Sequence, residues 1–226
     1  MHEIFCEGTG FGASRSLTVT TNCYNALKSL RLPEEMRALW IDTICINQKD
    51  VEERGAQVAI MRSIYSGAFQ VVVYLGESED GSNSVMRYVQ DRYAPLDYPK
   101  QETIIPKPSE EARQNFSSRA WFIRTWVLQE LFSAQKVEVR CGRISVLWEA
   151  LEDYYKHWGS RADRDNLRIP AAHEVMKFIS WTRRRSGKEV VPGINSTVYS
   201  LCLVFTETCP SSGPIIVALQ TSYSPM

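Results

Sequence analysis

Residues 38 to 76 constrain the fold of this chain more than any other stretch. "ALWIDTICI" (38 to 46) and "QVVVYLG" (70 to 76) are nearly continuous apolar runs rich in β-branched residues, the pattern of strands covered on both faces. Between them, Asp50 followed by Glu53 has the form of a helix-start capping pair, and Val51, Val58, Met61, Tyr65 and Ala68 recur at helical spacing to about Gly67. Strand, helix and strand of these lengths predict a right-handed parallel crossover, because parallel neighbours need a connection long enough to return the chain to the same edge. The fold class that follows is α/β.

Elements on either side extend this unit. "SLTVT" (16 to 20) reads as a short strand, and Thr21 or Asn22 can cap a helix that carries Cys23, Leu27 and Leu30 on one stripe and is ended by Pro33. Residues 77 to 118 show no clear apolar period and read as an insertion over the domain, with a short helix opening at Ser109 and placing Glu110 and Glu111 in its first turn. Helical spacing returns with Trp121, Val127, Leu128, Leu131 and Ala134. "KVEVRCG" and "ISVLW" then suggest two strands meeting near Gly142, and Trp148, Leu151, Tyr155 and Trp158 suit an amphipathic helix after them.

Pro170 fits the first position of a further helix, with Val175, Phe178 and Ile179 on its buried side. Beyond Gly187 the only charges are Lys188, Glu189 and Glu207, so residues 187 to 226 are expected to form an irregular, poorly packed tail on a domain of residues 1 to 186.

Composition narrows the function classes. Lys plus Arg and Asp plus Glu number 26 each, so no overall field draws in nucleic acid or an acidic membrane surface. The basic run in "TRRRSGK" (Arg183 to Arg185) reads as the solvated end of a helix. Six cysteines, with no CxxC pair and no His at zinc-finger spacing, imply no metal site. The opening "MHEIFCEGTGFG" lacks a basic start followed by an apolar run, which points to reduced thiols and a cytoplasmic location, with Cys45 in the core. The glycines of that opening lack the spacing of a dinucleotide fingerprint and read as a loop. "VYSLCLVF" (198 to 205) is far short of the roughly 20 apolar residues that span a bilayer.

Hydrolase motifs built on GxSxG, a P-loop or HExxH are absent from the sequence, and His2, His157 and His173 lie outside the well-patterned 38 to 134 region. Two candidates remain. Asp42, Asn47 and Gln48 cluster at and beyond the carboxyl end of the first apolar run, where open α/β sheets place their ligand crevice; the same residues also suit a loop in which Asp42 accepts hydrogen bonds and Asn47 and Gln48 make the turn. Glu130 in "RTWVLQEL" is four residues after Trp126, so both project from one side of a helix while Leu128 and Leu131 face the sheet. A half-buried carboxylate there is either an ion-pair partner of Arg119 or Arg124 or a group that stabilises a sugar cation during cleavage of a glycosidic bond.

Two long series, "LWIDTICINQKDVEERGAQVAIMRSIYSGAFQVVVYLG" and "RAWFIRTWVLQEL", resemble the fungal heterokaryon incompatibility (HET) domain over roughly residues 15 to 151. That resemblance implies a part in nonself recognition and programmed cell death, homotypic or HET-domain partners, and a distant kinship with TIR domains. TIR enzymes that cleave NAD carry a catalytic glutamate in a WCxxEL-type motif, to which Trp126, Leu128, Glu130 and Leu131 are similar. The resemblance thus implies a mainly parallel, TIR-like sheet, Glu130 as the catalytic residue, Asp42, Asn47, Gln48 and Trp126 as substrate-binding residues, and NAD as a substrate with no resident cofactor. The chain departs from the pattern at both ends: no ALSYxWG-like segment precedes Cys6 and no DPRDKVYALLG-like continuation follows residue 187. These departures lead to the expectation of a chain truncated at its N-terminus, and leave a non-enzymatic signalling module or an inactive fragment as alternatives.

Overall fold

The computed structural model describes residues 1–6, 15–34, 37–93, 105–123, 131, 133–162, 176 and 215–220. Trp126, Glu130, the helix expected after Pro170 and the basic run 183–185 lie outside the described residues. A hairpin of β1 (His2–Cys6) and β2 (Arg15–Val19) forms a small antiparallel sheet of its own. The main sheet has five strands, β3 (Ala38–Ile41), β4 (Gln70–Tyr74), β5 (Val137–Cys141), β6 (Ile144–Leu147) and β7 (Ile215–Gln220), in the order β3-β7-β4-β5-β6.

This sheet is mixed, which corrects the expectation of a mainly parallel, TIR-like one. Among the described strands, only β4 and β5 pair in parallel; β7 runs antiparallel to both β3 and β4, and β6 antiparallel to β5. β3 and β4 keep the common direction that a crossover imposes, but β7 separates them. The physical reason is range: periodicity reports which residues are buried, not which distant strand completes the ladder. Of the tail expected over residues 187 to 226, the described part, Ile215–Gln220, is a strand hydrogen-bonded on both sides, and the rest lies outside the described residues.

"ALWIDTICI" is not strand throughout. β3 stops at Ile41, and α2 (Asp42–Cys45) is a single helical turn closed by the Ile46 amide donating to Asp42 O at 3.1 Å. Asp42 sits in that first turn and its Oδ1 accepts from the Thr43 amide at 2.7 Å, where negative charge complements unpaired amides. Cys45 is thereby exposed rather than in the core. α3 (Val51–Gly67) starts at Asp50, whose carboxylate accepts from the amides of Glu52 and Glu53, both at 3.0 Å. Met61 and Tyr65 bury one side of α3 against the sheet, while Val51 is 69% exposed and lies off the expected stripe.

Residues expected to form an irregular insertion contain α4 (Ser82–Tyr93) as well as α5 (Glu110–Ser117), whose start at Ser109 agrees with the sequence pattern: the Ser109 hydroxyl accepts from Ala112 N at 3.1 Å. A 3₁₀ turn (Ala120–Ile123) and α6 (Trp148–Ala162) complete the helical elements used below. α1 (Thr21–Leu30) packs on the other face of the sheet, its start capped by Thr20, which accepts from Cys23 N at 3.2 Å.

Alternation along β4 divides the two cores. Val71 and Val73 face a large aromatic core, whereas Val72 and Tyr74 face a smaller one with Ile41, Val19, Cys23, Ala26 and Leu30. In the large core Trp121 meets Trp148 at 5.9 Å and Phe122 meets Tyr155 at 5.9 Å, both edge to face, an arrangement favoured by the ring quadrupoles. The Ser117 and Tyr155 hydroxyls pair at 2.8 Å and satisfy the polar tip of a fully buried ring. Each fully buried valine of β4 contributes about 1.5–3 kcal/mol of transfer free energy.

Candidate functional site

β3, β4 and β5 all end at one edge of the sheet, because β3 and β4 are each antiparallel to β7 and β4 is parallel to β5. The chain leaving β4 is unusually well fixed. Leu75 N extends the ladder by donating to Arg140 O at 2.8 Å, and Gly142 N donates to Gly76 O at 2.9 Å. Gly76 has φ +100°, a conformation open to glycine, and a Cβ there would lie 3.4 Å from Arg119 Nη1. Arg119 reaches in from the end of α5 and donates to Leu75 O at 2.8 Å, Glu77 O at 2.9 Å and Ser82 Oγ at 3.1 Å. Arg fits this task because its planar fork presents several donors in a fixed geometry.

Glu77, which follows, is exposed, yet its side chain is held: the buried Tyr74 hydroxyl donates to its Oε1. Burial, followed by the hydrogen bond to Glu77 and that carboxylate's charge, pushes the Tyr74 phenol well above its ordinary range, so it remains a donor at neutral pH. The loop and the start of α1 border an open cleft of about 480 Å³ whose wall includes Thr21, Asn22, Asn25, Glu77, Glu79 and Trp121. Trp121 is 1% exposed, and its indole Nε1 is buried without a hydrogen-bond partner among the described residues. Neither Glu77 nor Glu79 forms a salt bridge among the described residues.

The sequence-predicted trio lies at the end of β3. Its members are brought together in a turn held by local hydrogen bonds: Gln48 Nε2 donates to Asp42 O at 3.1 Å, Asn47 Oδ1 accepts from Lys49 N at 3.2 Å, and Asn47 N donates to Glu53 Oε1 at 3.0 Å. None of the three lines the β4 cleft. Thr43 links this turn to α1 through a 3.9 Å contact from its hydroxyl to Cys23 Sγ. The Cys23 thiol is pushed up, mainly by burial, then by the charge of Asp42 and Cys45, against the lowering effect of the Thr43 contact.

Glu77, Asn22 and Trp121 were not candidates from the sequence. The signal that finds Glu77 is the rule that pointed to Asp42, a ligand crevice beyond the carboxyl end of a buried strand, applied to "VVVYLGE" as well. Among the described residues no group of three or more His, Cys, Asp or Glu side chains is placed to hold a metal ion, and no helix is long and apolar enough to cross a membrane.

Comparison with known proteins places this geometry in context. The family model described as heterokaryon incompatibility protein (HET) matches residues 2–130, more than half of the chain. The chain is also similar to heterokaryon incompatibility protein 6, OR allele, of Neurospora crassa, 45% identical over 82 residues that make up 35% of this chain and 12% of that relative. The match therefore spans about an eighth of the relative's length. No solved structure matches the chain.

Proposed function

Because the chain belongs to the heterokaryon incompatibility (HET) family, we propose that it acts in fungal nonself recognition and the programmed cell death that follows. Its chemistry in this reading is hydrolysis of NAD or a related nucleotide at the carboxyl edge of the sheet. The observation that carries the reading is the cleft beyond β4, where hydroxyl, amide and carboxylate side chains line a volume of about 480 Å³ that reaches the edge of Trp121, within the range typical of small-molecule sites.

Glu130 is the proposed catalytic carboxylate and Trp126 packs beside a ring of the substrate. The neighbouring described residues support this assignment: Trp121, earlier in the same segment, lines the cleft, and Leu131, directly after Glu130, is fully buried in the large core. As the bond between ribose C1′ and the pyridinium nitrogen breaks, its electron pair leaves with nicotinamide and positive charge develops on the sugar. A carboxylate beside that charge lowers the barrier. Water then adds to C1′ and loses a proton, giving ADP-ribose, nicotinamide and H⁺.

Incubation of the purified chain with NAD, with nicotinamide followed over time, tests the reading. Release by the parent and a loss of about 10²-fold or more in Glu130→Gln, with an unchanged thermal transition, is the expected result. Equal release by both proteins removes Glu130 from the mechanism, and no release by the parent contradicts the hydrolase reading.

A second, non-enzymatic reading rests on α3. Ala56, Ala59, Ile60 and Ser63 are all exposed and recur at the spacing of one helix face, an uncharged stripe suited to packing against the same helix of a second copy. Sedimentation of the parent and of Ile60→Glu tests it: a dimer in the parent that the variant abolishes supports a homotypic module, and a monomeric parent contradicts it.

A further inference from the structure

We propose that the groove between β1, α1 and β3 binds a single-chain amphiphile with an anionic head, an alkyl or acyl chain that ends in a phosphate group. The groove shares no residue with the β4 cleft, and the inference stands without the nucleotide reading.

The first observation is the apolar wall. The groove has a volume of about 480 Å³, open to solvent, and most of its lining is hydrophobic. Ile4 from β1, Leu27 from α1 and Leu39 from β3 are only half-buried there, and Phe5 beside them is 76% exposed. Side chains that complete a core are covered. Here apolar surface from three elements stays in water at one place, the mark of a site for an apolar group.

The second observation is the charge on the same wall. Lys28, Arg31 and Arg37 line the groove, all three are exposed, and no carboxylate lines it with them. Lys28 lies in the last turn of α1 and Arg31 directly follows that helix. Arg37, just before β3, donates from Nη1 to Leu30 O at 3.2 Å, which brings its guanidinium to the same helix end. The nearby acids do not neutralise this group: Glu3 accepts from Ser16 Oγ across the hairpin at 3.1 Å, and Glu34 forms no salt bridge among the described residues. The side chains of Lys28 and Arg31 likewise form no ion pair among the described residues.

A helix end attracts cations, but its carbonyls amount to only about half a negative charge. Three cations exceed that demand and leave a positive excess beside the apolar wall. A molecule with the same division, one apolar chain and one anionic head, matches both parts. Phosphate suits the head because its oxygens accept from guanidinium forks and from an ammonium group alike. A cationic amphiphile is repelled, and a neutral chain leaves the charges unused.

The test uses the full chain with dodecyl phosphate below its micelle concentration, followed by calorimetry and by NMR of the labelled protein. Saturable binding is expected, with shifts at Leu27, Lys28 and Leu39. Dodecylphosphocholine, which has the same chain and a cation added to the head, should bind roughly tenfold more weakly, the scale of a few solvent-screened charge pairs. Octyl phosphate, four methylenes shorter, should also bind about tenfold more weakly or worse, and inorganic phosphate alone should show no saturable binding. The double variant Lys28→Gln with Arg31→Gln alters two exposed side chains and should keep the parent's thermal midpoint. It should lose roughly fivefold in affinity for dodecyl phosphate and little for dodecylphosphocholine.

Absence of saturable binding, equal affinity for the two head groups, an unchanged affinity in the double variant, or shifts confined to residues away from the groove overturns the proposal. Vesicles of phosphatidylcholine doped with phosphatidate separate the remaining source of the same chemistry: retention on them without binding of monomeric dodecyl phosphate assigns the cations to a membrane surface and contradicts the groove as a site.

Discussion

The ends of β3 and β4 leave the sheet at the same edge and in the same direction, yet they are built differently. Among the described residues β3 lies at the edge of the sheet with β7 as its one partner, and the polar residues that follow it close a compact turn through local hydrogen bonds. β4 lies between β7 and β5, all five of its residues are buried, and the loop that follows is fixed from outside by Arg119, Gly142 and Tyr74. A turn that satisfies its own polar groups has little left to offer a ligand. A loop held by its neighbours can leave a side chain such as Glu77 facing solvent in a defined position, which is what a binding site needs.

Several measurements sharpen or break this contrast. The largest effect is expected from removing residues 215 to 226, which deletes the strand that joins β3 to β4. Hydrogen exchange should then show Ala38–Ile41 unprotected while the β4–β5 ladder keeps most of its protection; equal loss on both sides would mean the two ends are not independent. Arg119→Ala comes next, because it strips partners from Leu75 O, Glu77 O and Ser82 Oγ, and a cost of about 2–4 kcal/mol in denaturant unfolding is expected. Gly76→Ala should cost about 1–3 kcal/mol, since alanine is strained at φ +100°. Asn47→Ala removes one exposed turn contact and should cost about 1 kcal/mol or less. A cost for Asn47→Ala above that of Arg119→Ala would reverse the comparison.

Much of β4 was legible in the sequence because a continuous apolar run has one physical use at this length, a strand buried on both faces. β3 was legible only to Ile41. The next residues, Thr43, Ile44 and Cys45, are as apolar or β-branched as a strand requires, and what ends β3 is a local hydrogen bond from the Thr43 amide to Asp42 that periodicity does not report. α4 was hidden for the opposite reason: Val85, Met86 and Val89 are buried at helical spacing, but Ser, Asp, Asn and Arg around them dilute the signal. β7 was illegible, since "IIVALQ" follows a stretch with one charge, Glu207, between residues 190 and 214 and no persistent period, and its place between β3 and β4 depends on partners more than 140 residues away in sequence.

The candidate site divides in the same way. The rule that ligands gather beyond carboxyl ends points to this edge of the sheet, but preferring β4 to β3 rests on which loop is held by residues such as Arg119, more than forty positions downstream of Leu75. Glu130 and Trp126, identified by resemblance to TIR enzymes, lie outside the described residues and stand on the chemistry proposed for them.

Titrating the isotopically labelled chain with NAD, while its backbone amides are followed by NMR, tests most directly whether the β4 end is where a ligand binds. The account predicts saturable shifts at Asn22, Gly76 and Glu77, with Asn47, Gln48 and Lys49 little changed. Shifts confined to residues 42 to 49, with Gly76 and Glu77 unmoved, would contradict it.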